Sequence, residues 1–168
     1  ILIFPPIYGE GYNTIKLLLD GNAADIFQRS FFYSQNNNTF ALIIFLFCIV
    51  VIKPVASALT LGSGGSGGIF APSLFMGGLT GYLFAASNNY LIPGTISTSN
   101  FTLVGMCGVM SGVLHAPLTA IFLIAEITGG YTLFVPLMLV SAISFTTTMY
   151  FEKHSLYTKN LIESGDLI

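Results

Sequence analysis

Charge is what this sequence has least of. Five of its 168 residues are Lys or Arg and seven are Asp or Glu, 7% in all, where an ordinary soluble domain carries roughly 25%. Between Phe31 and Tyr150 only Lys53 and Glu126 are formally charged, so this long run has almost nothing to present to water. That excludes a soluble globule, which needs a charged shell. A net charge of −2 is too small to imply nucleic acid or any other strongly charged partner. Cysteine is confined to Cys48 and Cys107, each inside an apolar run. Two such positions give no disulfide framework and read as buried thiols.

What is present is apolar: 54% of the residues, with a mean hydropathy of +0.82. This is membrane composition. The chain opens on "ILIFPPIYGEGYN" and closes on "LIESGDLI" with no initiator Met and no signal peptide in view, which reads as a piece of a longer chain.

Residues 10–35 are the most polar part, with Glu10, Lys16, Asp20, Asp25 and Arg29 among apolar neighbours, a pattern that suits one or two short helices at a membrane surface. Asn38 or Thr39 can cap the helix that follows. From Phe40 to Leu61 the chain is apolar throughout, about 33 Å of helix against a hydrocarbon core of about 30 Å. Pro54 lies inside it and removes a donor, which predicts a kink. Residues 69–86 form a second apolar segment; 101–114 and 118–128 are each too short to cross a bilayer and are separated by "HAP" at 115–117. Broken helices are the natural inference. Tyr131 to Phe151 is long enough to span again, with Pro136 near its start. The pairs Gly77 with Gly81 and Gly108 with Gly112 permit close helix contacts in lipid.

The stretch "GSGGSGG" at 62–68 holds five glycines and two serines directly before "IFAPSLFMGG". Each glycine costs about 1 kcal/mol in a helix relative to alanine, so a loop is expected there, at membrane depth. Pro72 is tolerated only in a first turn, which puts the start of the next helix within a residue or two of Phe70. The amides of Gly68, Ile69, Phe70 and Ala71 then become its free donors. Inside a bilayer each unsatisfied donor costs several kcal/mol. An anion suits them, because a helix N-terminus carries about half a positive charge and glycine lets a ligand approach the backbone. Tight helix packing is the competing explanation of the same glycines. A phosphate loop fits poorly: the pattern requires Lys and then Ser or Thr after the last glycine, where this chain has Ile69 and Phe70. A dinucleotide site lacks its parallel sheet.

The residues "GGIFAP" at 67–72 resemble the anion-binding signature in the second half of the CLC chloride channels and chloride/proton exchangers. "GEGYN" at 9–13, "GMCGVMSGVLHAPLTAIFLIAEIT" at 105–128 and "HSLYT" at 154–158 are similar to further motifs of that family, in the same order. The resemblance implies an all-α, polytopic membrane fold of tilted, broken and half-spanning helices, with residues 1–168 as the C-terminal half of an inverted repeat. It implies a homodimer with one pore per subunit, and a central chloride or similar anion held by the Ile69 and Phe70 amides, flanked by Gly68 and Ala71. The Tyr157 hydroxyl is implied to donate to that ion from the cytoplasmic side. It implies no enzyme activity, metal or cofactor besides the bound ion. The gating glutamate and a serine-bearing anion loop are implied to lie in the missing N-terminal half, so channel and proton-coupled exchanger stay undivided.

Neutral donors hold an anion without the trapping that a lysine would cause, and weak binding permits flux. Glu126 is an ionisable group in a membrane segment and hence a candidate proton carrier. The resemblance instead implies a structural carboxylate, capped by nearby amides, on a dimer-contact helix. Lys53 can snorkel or pair within the protein, and His115 reads as a structural elbow residue. The basic residues of "EKHSLYTK" favour a cytoplasmic C-terminal end. The alternative function is a membrane enzyme or receptor domain that binds a phosphorylated ligand at the glycine loop, which requires cationic side chains converging on residues 64–71.

Overall fold

A computed structural model describes residues 5–7, 9, 11–23, 25–26, 39–65, 68–153 and 155. Among them the regular elements are helical: a 3-10 turn at Pro5–Ile7, then α1 (Tyr12–Leu19), α2 (Thr39–Gly62), α3 (Phe70–Leu91), α4 (Thr98–Leu114), α5 (Pro117–Ile127) and α6 (Phe134–Phe151). The expected all-α class is what the chain adopts. Two helices, α2 and α6, are long and apolar enough to cross a membrane, and α4 and α5 are shorter apolar pieces.

Packing centres on α4, which carries α3 along one side, α6 along another, and α1 and α5 at its margins, while α2 lies outside α3. α3 and α4 form an antiparallel hairpin whose contact is glycine on glycine. A Cβ on Gly77 would stand 2.5 Å from the Gly105 carbonyl oxygen, and one on Gly81 would collide with the Phe101 carbonyl. Such backbone-to-backbone approach maximises van der Waals contact where lipid offers no hydrophobic drive.

The α4–α6 contact is polar instead. Ser111 Oγ donates to the Ser141 carbonyl at 3.0 Å, Ser141 Oγ approaches Ser111 Oγ at 2.9 Å, and Ser144 Oγ donates to the Gly108 carbonyl at 2.7 Å. Gly108 and Gly112 leave room for this seam, because a Cβ on Gly112 would stand 2.9 Å from Ser144 Oγ. Cys107 is buried beside it and Cys48 is half-buried; both are free thiols.

The boundaries depart from the sequence expectation in ways with local causes. α3 runs on to Leu91, through Asn88 and Asn89, because Asn89 then clamps the turn by donating to the Ile96 carbonyl at 2.6 Å and accepting from its amide at 3.0 Å. α4 starts at Thr98, with Ser97 Oγ accepting from the Asn100 amide. Pro117 opens α5 at a position where its missing N–H costs nothing. Tyr131–Leu133 form a turn before α6, which leaves Pro136 in the first turn of that helix. α2 continues as one helix across Pro54.

Candidate anion site at the start of helix α3

The glycine loop has two parts with different physical roles. The first stops α2: Gly64 is left-handed at φ 81°, its amide donates to the Leu61 carbonyl at 3.1 Å, and the Gly65 amide donates to the Thr60 carbonyl at 2.9 Å. That paired pattern satisfies the last carbonyls of a helix and calls for glycine at the left-handed position. Ser66 and Gly67 lie outside the described residues.

The second part opens α3. Ile69 precedes the first helical residue, Phe70, as Pro72 requires. The Ser73 amide donates to the Ile69 carbonyl at 3.1 Å, and Ser73 Oγ donates to the Phe70 carbonyl at 2.8 Å, which pins the turn. No carbonyl among the described residues accepts from the amides of Gly68, Ile69, Phe70 or Ala71. Gly68 is exposed and the next three are half-buried. Among the described residues a Cβ on Gly68 would meet nothing nearer than the Phe70 nitrogen at 4.0 Å, and its φ lies outside the left-handed range. Tyr157 falls outside the described residues.

Lys53 is buried at 3% exposure. Its ammonium donates to the Ile7 carbonyl at 2.8 Å and the Gly9 carbonyl at 2.7 Å and lies 5.0 Å over the Phe75 ring. These are the ligands of a desolvated cation, two carbonyl dipoles and a ring face. Of the sequence readings of this lysine, pairing within the protein is the one realised. The one cation between residues 31 and 150 is thereby committed to the segment before α1, whereas the phosphorylated-ligand alternative needs it near residues 64–71.

Glu126 is exposed in the last turn of α5, and no donor among the described residues reaches its carboxylate. The expected capping amides do not come from its own helix end: those of Thr128 and Gly129 donate to the Ile124 and Glu126 carbonyls and close the helix. His115 does lie at the elbow, where it ends α4 with a left-handed backbone at φ 54° and ψ 32°. No group of three or more metal-ligating side chains occurs among the described residues.

Residues 1–149 match the family described as "Voltage gated chloride channel". A ClcB-like chloride channel protein of Ralstonia nicotianae is 31% identical over 163 residues, 96% of this chain and 34% of that protein. The H(+)/Cl(-) exchange transporters ClcA of Vibrio campbellii and Vibrio vulnificus are 38% and 36% identical over 142 residues, 84% of this chain and 26% and 27% of theirs. The chain therefore spans about a quarter to a third of the length of the curated relatives it matches.

Proposed function

Because the chain belongs to the voltage gated chloride channel family, whose members are integral membrane proteins, we propose that it forms part of a transmembrane pathway for chloride or a similar small anion, moved passively or in exchange for protons. In this reading it is not an enzyme and takes no cofactor. The ion sits at the N-terminus of α3 on the amides of Ile69 and Phe70, with Gly68 and Ala71 beside it, and the Tyr157 hydroxyl donates from the cytoplasmic side. The parent's N-terminal half completes the shell, and two copies of the parent pair through α5 and α6, whose Leu118, Phe122, Val135 and Leu139 are exposed.

The observation that carries this reading is Gly68. Gly64 is explained by its backbone conformation and Gly77 by its neighbour, but neither requirement applies at Gly68. A glycine that no left-handed φ and no contact among the described residues requires, the first of four amides without acceptors among those residues, suits a site where an ion must reach the main chain. Dehydrating an anion is costly, and helix-terminal amides offset that loss without a formal positive charge that would hold the ion too tightly.

Two measurements test it. The full-length parent in liposomes is expected to pass chloride, and crystals of it soaked in bromide are expected to show an anomalous peak beside the Ile69 and Phe70 nitrogens. A folded parent with no halide flux and no peak there overturns the proposal; phosphate at the same place points to a phosphorylated ligand instead.

A further inference from the structure

We propose that His115 is a positioning residue, tying the end of α6 to the α4–α5 elbow and so setting where the chain leaves for Tyr157. The inference rests on the anion reading above for its consequence, though the tether itself does not.

Three observations meet at this residue. His115 is the only non-glycine residue with a positive φ among those described, a conformation that costs an ordinary side chain about 1–2 kcal/mol. Its Nε2 lies 3.2 Å from the Glu152 carbonyl oxygen, and its ring meets Phe145 edge-on with centroids 5.9 Å apart. Its Nδ1 is buried and has no partner among the described residues. A carbonyl oxygen only accepts, so Nε2 is the donor of this bond and carries a proton.

A residue present only to turn the chain would be glycine, free of backbone cost and of an orphaned nitrogen. What histidine adds is reach: from the end of α4 it touches Phe145 on α6 and Glu152 directly after that helix. Glu152 is where α6 ends, because its backbone is extended at φ −135° and ψ 111° while its amide still donates to the Thr148 carbonyl. Tyr157 follows five residues later in the sequence, so the tether fixes a point of the chain close before it. Fixing that origin lowers the entropy cost of bringing a hydroxyl to an ion.

The test compares His115→Gly and His115→Gln in the full-length parent. Glycine removes the backbone cost and the tether together; glutamine keeps the backbone cost but restores an amide donor at the reach of Nε2. Hydrogen exchange of the peptide around residues 149–157 and chloride flux in liposomes are both read. The expected result is faster exchange and flux lowered about tenfold in the glycine variant, with both near wild type in the glutamine variant. Exchange unchanged by glycine overturns the tether; raised exchange with unchanged flux overturns the positioning role. Should the unmodified parent pass no chloride, the anion reading fails by itself and the exchange comparison still decides the tether.

Discussion

The Gly105 carbonyl oxygen occupies the space a side chain on Gly77 would need: a Cβ there would come within 2.5 Å of it. Conversely, a Cβ on Gly105 would stand 2.8 Å from the Gly81 Cα. The obstacles are backbone atoms of helices, which cannot swing aside as a flexible side chain can. Replacing Gly77 or Gly105 with alanine is therefore expected to separate α3 from α4 and to destabilise the folded chain by about 1–3 kcal/mol. Gly130, with nothing within 4 Å of an added Cβ and no positive φ, is the control, expected to change stability by less than about 0.5 kcal/mol. Thermal unfolding of the detergent-solubilised parent reads both.

Lys53→Met keeps the buried stem and deletes the donor. It leaves the Ile7 and Gly9 carbonyls without the ammonium that now bridges them. Hydrogen bonds to a charged group contribute about 1.5–3 kcal/mol each, partly offset because the mutant no longer buries a charge. A net loss of about 2 kcal/mol is expected, with faster proteolysis before α1 as its local signature. Equal stability and equal proteolysis would show that the ammonium holds nothing.

How much of this was legible in the sequence depended on how far apart the interacting residues are. The start of α3 at Phe70 followed from Pro72 alone, and α2 was readable to within a residue at each end because an apolar run and a glycine stop are local signals. The Asn89 clamp on Ile96 spans seven residues and extended α3 past the expected end, since asparagines before a proline look like loop. Lys53 finds its carbonyls 44 and 46 residues away, a pairing no spacing rule anticipates. Gly77 and Gly81 were legible as a packing pair, but their partner Gly105 was not, because its role depends on how two helices align. At the candidate site the four amides could be named from the glycine-to-proline order, whereas the division of the glycines, 64 for the stop and 68 for open space, needed backbone angles and distances.

Ser111 and Ser141 are both fully buried, and their hydroxyls are 2.9 Å apart. Each single change to alanine is expected to cost about 0.5–1.5 kcal/mol, in the range measured for interhelical hydrogen bonds inside membranes. Because each hydroxyl is the other's neighbour, the double variant should lose less than the sum of the singles. Strict additivity in a double-mutant cycle, read by unfolding in detergent, would mean that the two side chains act apart.

If the anion is held by main-chain nitrogen, the side chains at the site should matter in a particular order. Ile69→Val and Phe70→Leu leave the amides in place, and chloride affinity measured calorimetrically on the full-length parent is expected to stay within about threefold. Tyr157→Phe removes a hydroxyl donor to a charged ligand, which at about 1.5–3 kcal/mol predicts roughly ten- to hundredfold weaker binding. Gly68→Ala is the most discriminating change. With only the Phe70 nitrogen at 4.0 Å from the new Cβ, unfolding stability should hold within about 0.5 kcal/mol, while the added methyl obstructs the ion's approach and chloride affinity falls. The opposite outcome, lost stability with intact chloride affinity, would make Gly68 a packing glycine like Gly77 and remove the main support for an ion at this helix end.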